Sequence, residues 1–148
     1  MDWNRYRFLS LWDLPAPPDA VYAALEQVEE YPAWWPQVRE VRRAGAESGI
    51  LRVRALLPYE LVVTAEQTLR DPAAGVLQAA LSGDLVGWSR WTVAAGGRGT
   101  LARYDQVVDV TRPLLRRLAV PGRPFLRLNH RLMMASGRRG LAARLRTV

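Results

Sequence analysis

The side chains able to do chemistry in this chain are few, and most are neutral. It has one histidine, His130, and no cysteine. Disulfides, thiolate metal sites and cysteine nucleophiles are therefore excluded. A single histidine without thiolates makes a poor zinc site, and we expect neither a metal nor any other cofactor. All 21 basic residues are arginine. Without lysine there can be no G-x-x-x-x-G-K-[ST] phosphate loop, and no G-x-G-x-x-G occurs either. What remains is a sparse polar set in apolar surroundings: Gln67, Tyr104, Gln106 and Asn129. Such a set suits an apolar ligand oriented by a few hydrogen bonds. Proton transfer would need a group of suitable pKa beside the substrate. Tyr104, Asn129 or His130 could contribute, but the pattern places no carboxylate inside. No catalytic residue is assigned.

A helix predicted over residues 125–145 must position Asn129. With Phe125 as the origin and about 100° per residue, Asn129, Leu132, Met133, Ser136 and Gly140 fall on the same side as Phe125. Arg127, Arg131 and Arg138 fall on the opposite side. Asn129 then sits amid an apolar face, where an unpaired amide costs about 1–3 kcal/mol. It either bonds the sheet and fixes the helix, or addresses a ligand carbonyl or hydroxyl. His130 falls at the border of the two faces, and we expect it at the surface or rim. Gly137 and Gly140 inside a helix imply a close backbone approach to the sheet, a kink or spare cavity volume.

Strand alternation supplies the facing wall. In 59–69, Leu61, Val63, Ala65, Gln67 and Leu69 are expected inside. In 49–57 the inward set is Leu51, Val53 and Ala55. In 100–110 it is Ala102, Tyr104, Gln106 and Val108. In 86–95 we place Trp91 inside with Val93. The small side chains Ala55, Ala65, Ala80 and Ala102 favour a void over a filled core. The candidate ligand-contacting set is thus Val53, Ala55, Val63, Ala65, Gln67, Trp91, Tyr104, Gln106, Phe125, Asn129, Leu132 and Met133. The tryptophan pair Trp34-Trp35 reads as a packing plug at the cavity rim.

These walls belong to a simple order of elements. Residues 6–14 read as an aromatic-rich strand, ended by Pro15-Ala16-Pro17-Pro18. A helix follows over 20–28, with Asp19 near its N-terminus, and then a short helical turn over 31–36. Six strands follow at 38–44, 49–57, 59–69, 75–83, 86–95 and 100–110, broken by Gly49, Pro58, Asp71-Pro72, Gly83-Asp84 and Gly96-Gly97. Connections this short imply antiparallel neighbours. The predicted fold class is α+β: a curved antiparallel sheet of about seven strands, two short helices after the first, and a long C-terminal helix covering the apolar face.

The run LPAPPDAVYAALEQVEEYPAWWPQVREVRR resembles the opening of the polyketide cyclase/dehydrase and lipid-transport proteins of the START-like (SRPBCC) superfamily. There a strand leads to a helix, a Tyr-Pro-x-Trp-x-Pro turn and another strand. GDLVGWSRWTVAAGGRGTLARYDQVV looks like their paired strands, and NHRLMMASGRRGLAARL like their closing helix. The resemblance implies the helix-grip fold over nearly the whole chain. It also implies binding, transport or sequestration of a hydrophobic molecule such as a lipid, isoprenoid or polyketide. The alternative it implies is a cyclase or dehydratase in the same cavity. Aromatic polyketide cyclases of this kind use a cavity Arg and a Tyr after the Trp-Pro turn. Here that region reads Trp35-Pro36-Gln37-Val38-Arg39-Glu40-Val41, without a Tyr. The strand expected to carry the Arg reads Thr64-Ala65-Glu66-Gln67-Thr68.

Composition sets the remaining expectations. At 148 residues, 49% hydrophobic and 24% charged, the chain suits one globular domain over residues 1–148 rather than a disordered segment. No apolar run nears the roughly 18–20 residues needed to cross a bilayer, and the first residues develop no signal-like apolar region; a cytoplasmic protein is expected. Charge is one-sided: residues 110–148 carry ten arginines and no acid. Its plain reading is a solvated helix face. The Leu114–Val120 stretch mixes leucine with arginine; it reads as an ordinary docked turn or as a lid that touches an anionic membrane. No nucleic-acid motif accompanies the arginines, and nucleic acid is not expected as a partner. Oligomeric state is not legible.

Overall fold

The computed structural model describes residues 5–54, 60–97, 99–111 and 123–146. Strand β1 (Arg5–Leu14) leads to α1 (Pro18–Glu26), a 3₁₀ turn (Val28–Glu30) and the single-turn α2 (Tyr31–Trp34). Then come β2 (Val38–Arg43), β3 (Ser48–Arg54), β4 (Glu60–Asp71), β5 (Val76–Gly83), β6 (Leu85–Gly96) and β7 (Gly99–Val110). Helix α3 (Arg123–Arg146) closes the order. The expected elements are all present with small boundary shifts. Helix α1 opens at Pro18, where proline's fixed φ and missing N–H cost nothing, and ends before the predicted Val28. The Leu114–Val120 stretch and Ala55 lie outside the described residues.

All seven strands form one antiparallel sheet in the order β1-β7-β6-β5-β4-β3-β2. Consecutive strands from β2 to β7 are neighbours, as the short turns required, and β1 returns to pair with β7. The inward alternation of β7 holds: Ala102, Gln106 and Val108 are buried, with Tyr104 beside them. In β6, Trp91 and Val93 turn inward, while Trp88 lies on the outer face under Arg90, 5.3 Å from the guanidinium carbon.

Two strand assignments change. Leu69 is 44% exposed, not inside. A bulge lies between Gln67 and Leu69; one extra residue reverses the alternation. Beyond it Arg70, opposite Leu77, faces the cavity side. On β5 the small inward residue is Ala79, which pairs with Gln67 and Ser89; Ala80 is exposed.

Helix α3 lies over this sheet with a different face down from the one expected. Its buried residues are His130, Met134, Gly137, Leu141 and Ala142. That face is centred about 165° from Phe125, a turn of roughly 135° from the expected centre. Leu132 is accordingly 44% exposed, and Asn129 stands at the edge of the buried face. Gly137, which carries no hydropathy signal, lies on this buried face, while Gly140, on the expected one, packs against the tryptophan turn. A Cβ on Gly140 would lie 1.7 Å from the Trp34 carbonyl oxygen, and one on Gly137 would lie 2.5 Å from the Trp35 ring. The close approach anticipated for these glycines is real, but it is made mainly to the tryptophan turn, with Trp12 of β1 as the sheet contact. Trp35 donates its indole N–H to the Met133 carbonyl at 2.9 Å.

Packing divides into two clusters. The larger gathers Trp12, Trp34, Trp35 and Trp91 with Tyr31, Leu25, Val21, Met134 and Leu141. The smaller joins Tyr6, Val108 and Val110 with the partly buried Phe8, Leu61, Leu81, Leu85 and Leu126. Between them lies the space that the sheet and α3 enclose.

Candidate functional site

That space is a cavity of about 670 Å³, inside the 300–1,000 Å³ range of small-molecule sites. Strand register explains its lining. Directly opposed residues of neighbouring antiparallel strands share a face, so each rung contributes one row of side chains. One row runs Phe8, Gln106, Ser89, Ala79 and Gln67 across β1, β7, β6, β5 and β4. The next holds Tyr104, Trp91, Leu77 and Arg70. The polar groups thus lie in a stripe across an otherwise apolar wall, with Ala79 leaving room along it.

Helix α3 adds His130 above this stripe. Its Nε2 is 3.2 Å from Gln106 Oε1, and the Tyr104 hydroxyl donates to the same oxygen at 3.1 Å. A carboxamide oxygen only accepts, so His130 carries its proton on Nε2 and leaves Nδ1 as the acceptor. The imidazole also stacks on Phe8, with ring centroids 3.8 Å apart. Burial holds its pKa down to about 4, because a charged imidazole would lose its hydration there. Burial likewise raises the Tyr104 hydroxyl to about 12. At neutral pH both groups are uncharged.

Of the candidate ligand-contacting residues, Val53, Val63, Ala65, Gln67, Trp91, Tyr104, Gln106, Asn129 and Met133 line the cavity. Leu132 does not; with Asn129 and Met133 it borders an outer groove beside Pro36, Gln37 and Arg39. Ala55 and the Phe125 side chain lie outside the described residues. His130 is the main correction, since it is 9% exposed rather than at the surface. Its signal was present: His130, Met134, Gly137 and Leu141 follow an i, i+4, i+7, i+11 spacing. Ser89 and Phe8 were also missed. Ser89 shares a face with Trp91 two residues on, and Phe8 with Tyr6 and Trp12.

The Trp34-Trp35 pair does form a plug. Both are buried, stacked at 5.4 Å between centroids, and edge-on to Trp12. Trp35 and Tyr31 also border the cavity. The Tyr31 hydroxyl donates to the Leu25 carbonyl, and burial raises its pKa. At the mouth stand Glu26, Glu29, Glu30 and Glu47 with Arg43 and Arg70. Arg70 holds Glu26 through two hydrogen bonds, at 2.7 and 3.2 Å, and Arg43 pairs with Glu29. No helix among the described residues is long and apolar enough to cross a membrane.

A seven-stranded sheet gripping one long helix around an apolar cavity defines a helix-grip protein. The model of the polyketide cyclase/dehydrase and lipid transport family matches residues 12–147, and the chain belongs to that family. No curated protein matches the sequence. Solved structures share its fold at low identity. A START superfamily protein from Mycobacterium smegmatis superposes with a TM-score of 0.70 at 19% identity, covering 97% of each chain. The Zhui aromatase/cyclase from Streptomyces gives 0.71 at 15% identity, over 96% of this chain and 94% of that one. The major latex-like protein of Panax ginseng gives 0.69 at 9% identity, over 95% and 97%.

Proposed function

We propose that this chain binds a hydrophobic small molecule, such as a lipid, isoprenoid or polyketide, in the cavity between α3 and the sheet. The observation that carries the reading is the cavity itself: about 670 Å³, apolar on most sides, with Gln67, Ser89, Tyr104, Gln106 and His130 as sparse hydrogen-bonding groups. Apolar walls supply affinity through burial at about 25 cal/mol per Å², and the polar stripe sets orientation. In this reading Val53, Val63, Ala65, Gln67, Trp91, Tyr104, Gln106, Asn129 and Met133 contact the ligand, joined by His130. The chain acts as one domain in the cytoplasm and carries or sequesters its ligand. The arginine-rich Leu114–Val120 stretch would meet an anionic membrane during exchange.

Mass spectrometry tests the reading, first under native conditions and then after organic extraction. A co-purifying hydrophobic molecule at one per chain supports it. A protein that stays empty and takes up no apolar probe overturns it.

One observation favours a second reading, a cyclase or dehydratase. His130 and Tyr104 meet at Gln106 Oε1 inside the cavity, so a neutral imidazole and a phenol are held beside any bound substrate. Proton transfer through that pair would need the substrate within hydrogen-bond reach. Turnover of an aromatic polyketide-like ketone that is lost in His130→Phe would support it.

A further inference from the structure

The charge of the site's polar groups bears on ligand class. Gln106 is only 6% exposed. Its two hydrogen bonds, from Tyr104 and His130, both fall on Oε1, which leaves the amide nitrogen and its two N–H donors to the cavity. A buried donor of this kind calls for an acceptor. Farther along the same rung, Gln67 offers a second neutral amide. It stands three strand spacings away, roughly 14 Å.

Among the described residues, the arginines that border the cavity stand at its mouth. Arg43 and Arg70 are there, and each is already matched, to Glu29 and Glu26. Glu30 and Glu47 also border the cavity on this side, and Arg144 holds Glu30, so each described arginine there is matched by a carboxylate. An anionic head placed deep would therefore sit beside neutral groups in a desolvated wall, which is costly. Turned outward, it would meet described arginines already committed to Glu26, Glu29 and Glu30. Neither orientation suits a carboxylate. A carbonyl or hydroxyl oxygen accepts from the Gln106 amide without either penalty.

We infer that the cavity selects uncharged hydrophobic molecules bearing a carbonyl or hydroxyl oxygen and discriminates against the corresponding carboxylates. This rests on the ligand-binding reading above and narrows it. Neutrality of the site extends to His130, which burial keeps uncharged at physiological pH.

Displacement of the neutral fluorescent probe N-phenylnaphthylamine separates the cases. Methyl decyl ketone, laurate and dodecane have equal carbon number and differ in the head group. At about pH 8 laurate is ionised. The ketone is expected to displace the probe at a concentration roughly tenfold or more below that of laurate. In Gln106→Met, which keeps the volume and removes the donors, the ketone should fall to within about twofold of dodecane. Laurate matching the ketone on the native protein overturns the inference, as does an unchanged ketone preference in Gln106→Met. Should that variant not fold, Tyr104→Phe serves, because it deletes a bond that orients the Gln106 amide. Ketone displacement should then weaken several-fold, and no change overturns the inference. If the native protein takes up no probe and carries no co-purified molecule, the ligand-binding reading itself falls, an outcome distinct from probe binding without head-group preference.

Discussion

The two halves of α3 meet the same sheet in opposite ways. Its C-terminal half, from Met134 to Leu141, lies against Trp12, Trp34 and Trp35 with two glycines in contact. Its N-terminal half, around Leu126 to Met133, stands over a cavity whose nearest fixed points are Phe8 and Gln106. One half therefore anchors the helix and the other spans a void. Aromatic pairs and close backbone contact supply stability at the anchored end. That anchorage lets the other end hold open an apolar space that would otherwise collapse.

The sharpest way to break the contrast is Gly140→Ala. The new Cβ would meet a backbone carbonyl that cannot rotate away, and we expect a loss of at least about 3 kcal/mol, seen as a lowered denaturant midpoint. Loss of less than about 1 kcal/mol would show that the anchored end is looser than this packing describes.

The open half has a pH signature. His130 has its pKa lowered to about 4 by burial, so the unfolded chain binds the extra proton between about pH 6.5 and 4. Its contribution to stability is complete above pH 6.5 and is lost as pH falls through that window, by up to about 3 kcal/mol. Comparing urea unfolding of the native chain with His130→Phe isolates this component, which the variant should lack.

The rotation of α3 is tested by a pair of truncations. Met134→Ala, in the buried face, should cost about 2–3 kcal/mol. Leu132→Ala, on the exposed face, should stay within about 0.5 kcal/mol. Equal costs would contradict the observed face.

A small expected stability change accompanies the largest change in binding. Ala79→Leu adds volume on the polar rung, facing the void. Stability should move by less than about 1 kcal/mol, since space is available, while uptake of a neutral apolar probe is lost. Retained uptake would place the ligand elsewhere.

How much of this was legible follows from what each signal encodes. Alternation along β7 was enough to place Tyr104 and Gln106, because a strand's side-chain period is two. The same rule failed at Leu69, since nothing in Gln67-Thr68-Leu69 announces a bulge, which arises from the pairing with β5. On α3 the periodic pattern was visible but its origin was not. Phe125 and Leu132 outweighed His130 and Gly137 in a hydropathy argument, although Gly137 marks the close contact.

Sequence alone determined the element order, the antiparallel neighbours, the α+β class and the absence of thiol and lysine chemistry. Those follow from local period, turn residues and composition, which each segment carries by itself. Tertiary structure decided which face of α3 turns down, that His130 is inside and uncharged, and that Gln106, Ser89 and Gln67 share one rung. Each depends on register or close approach between segments far apart in the chain, where the deciding feature is space rather than hydropathy.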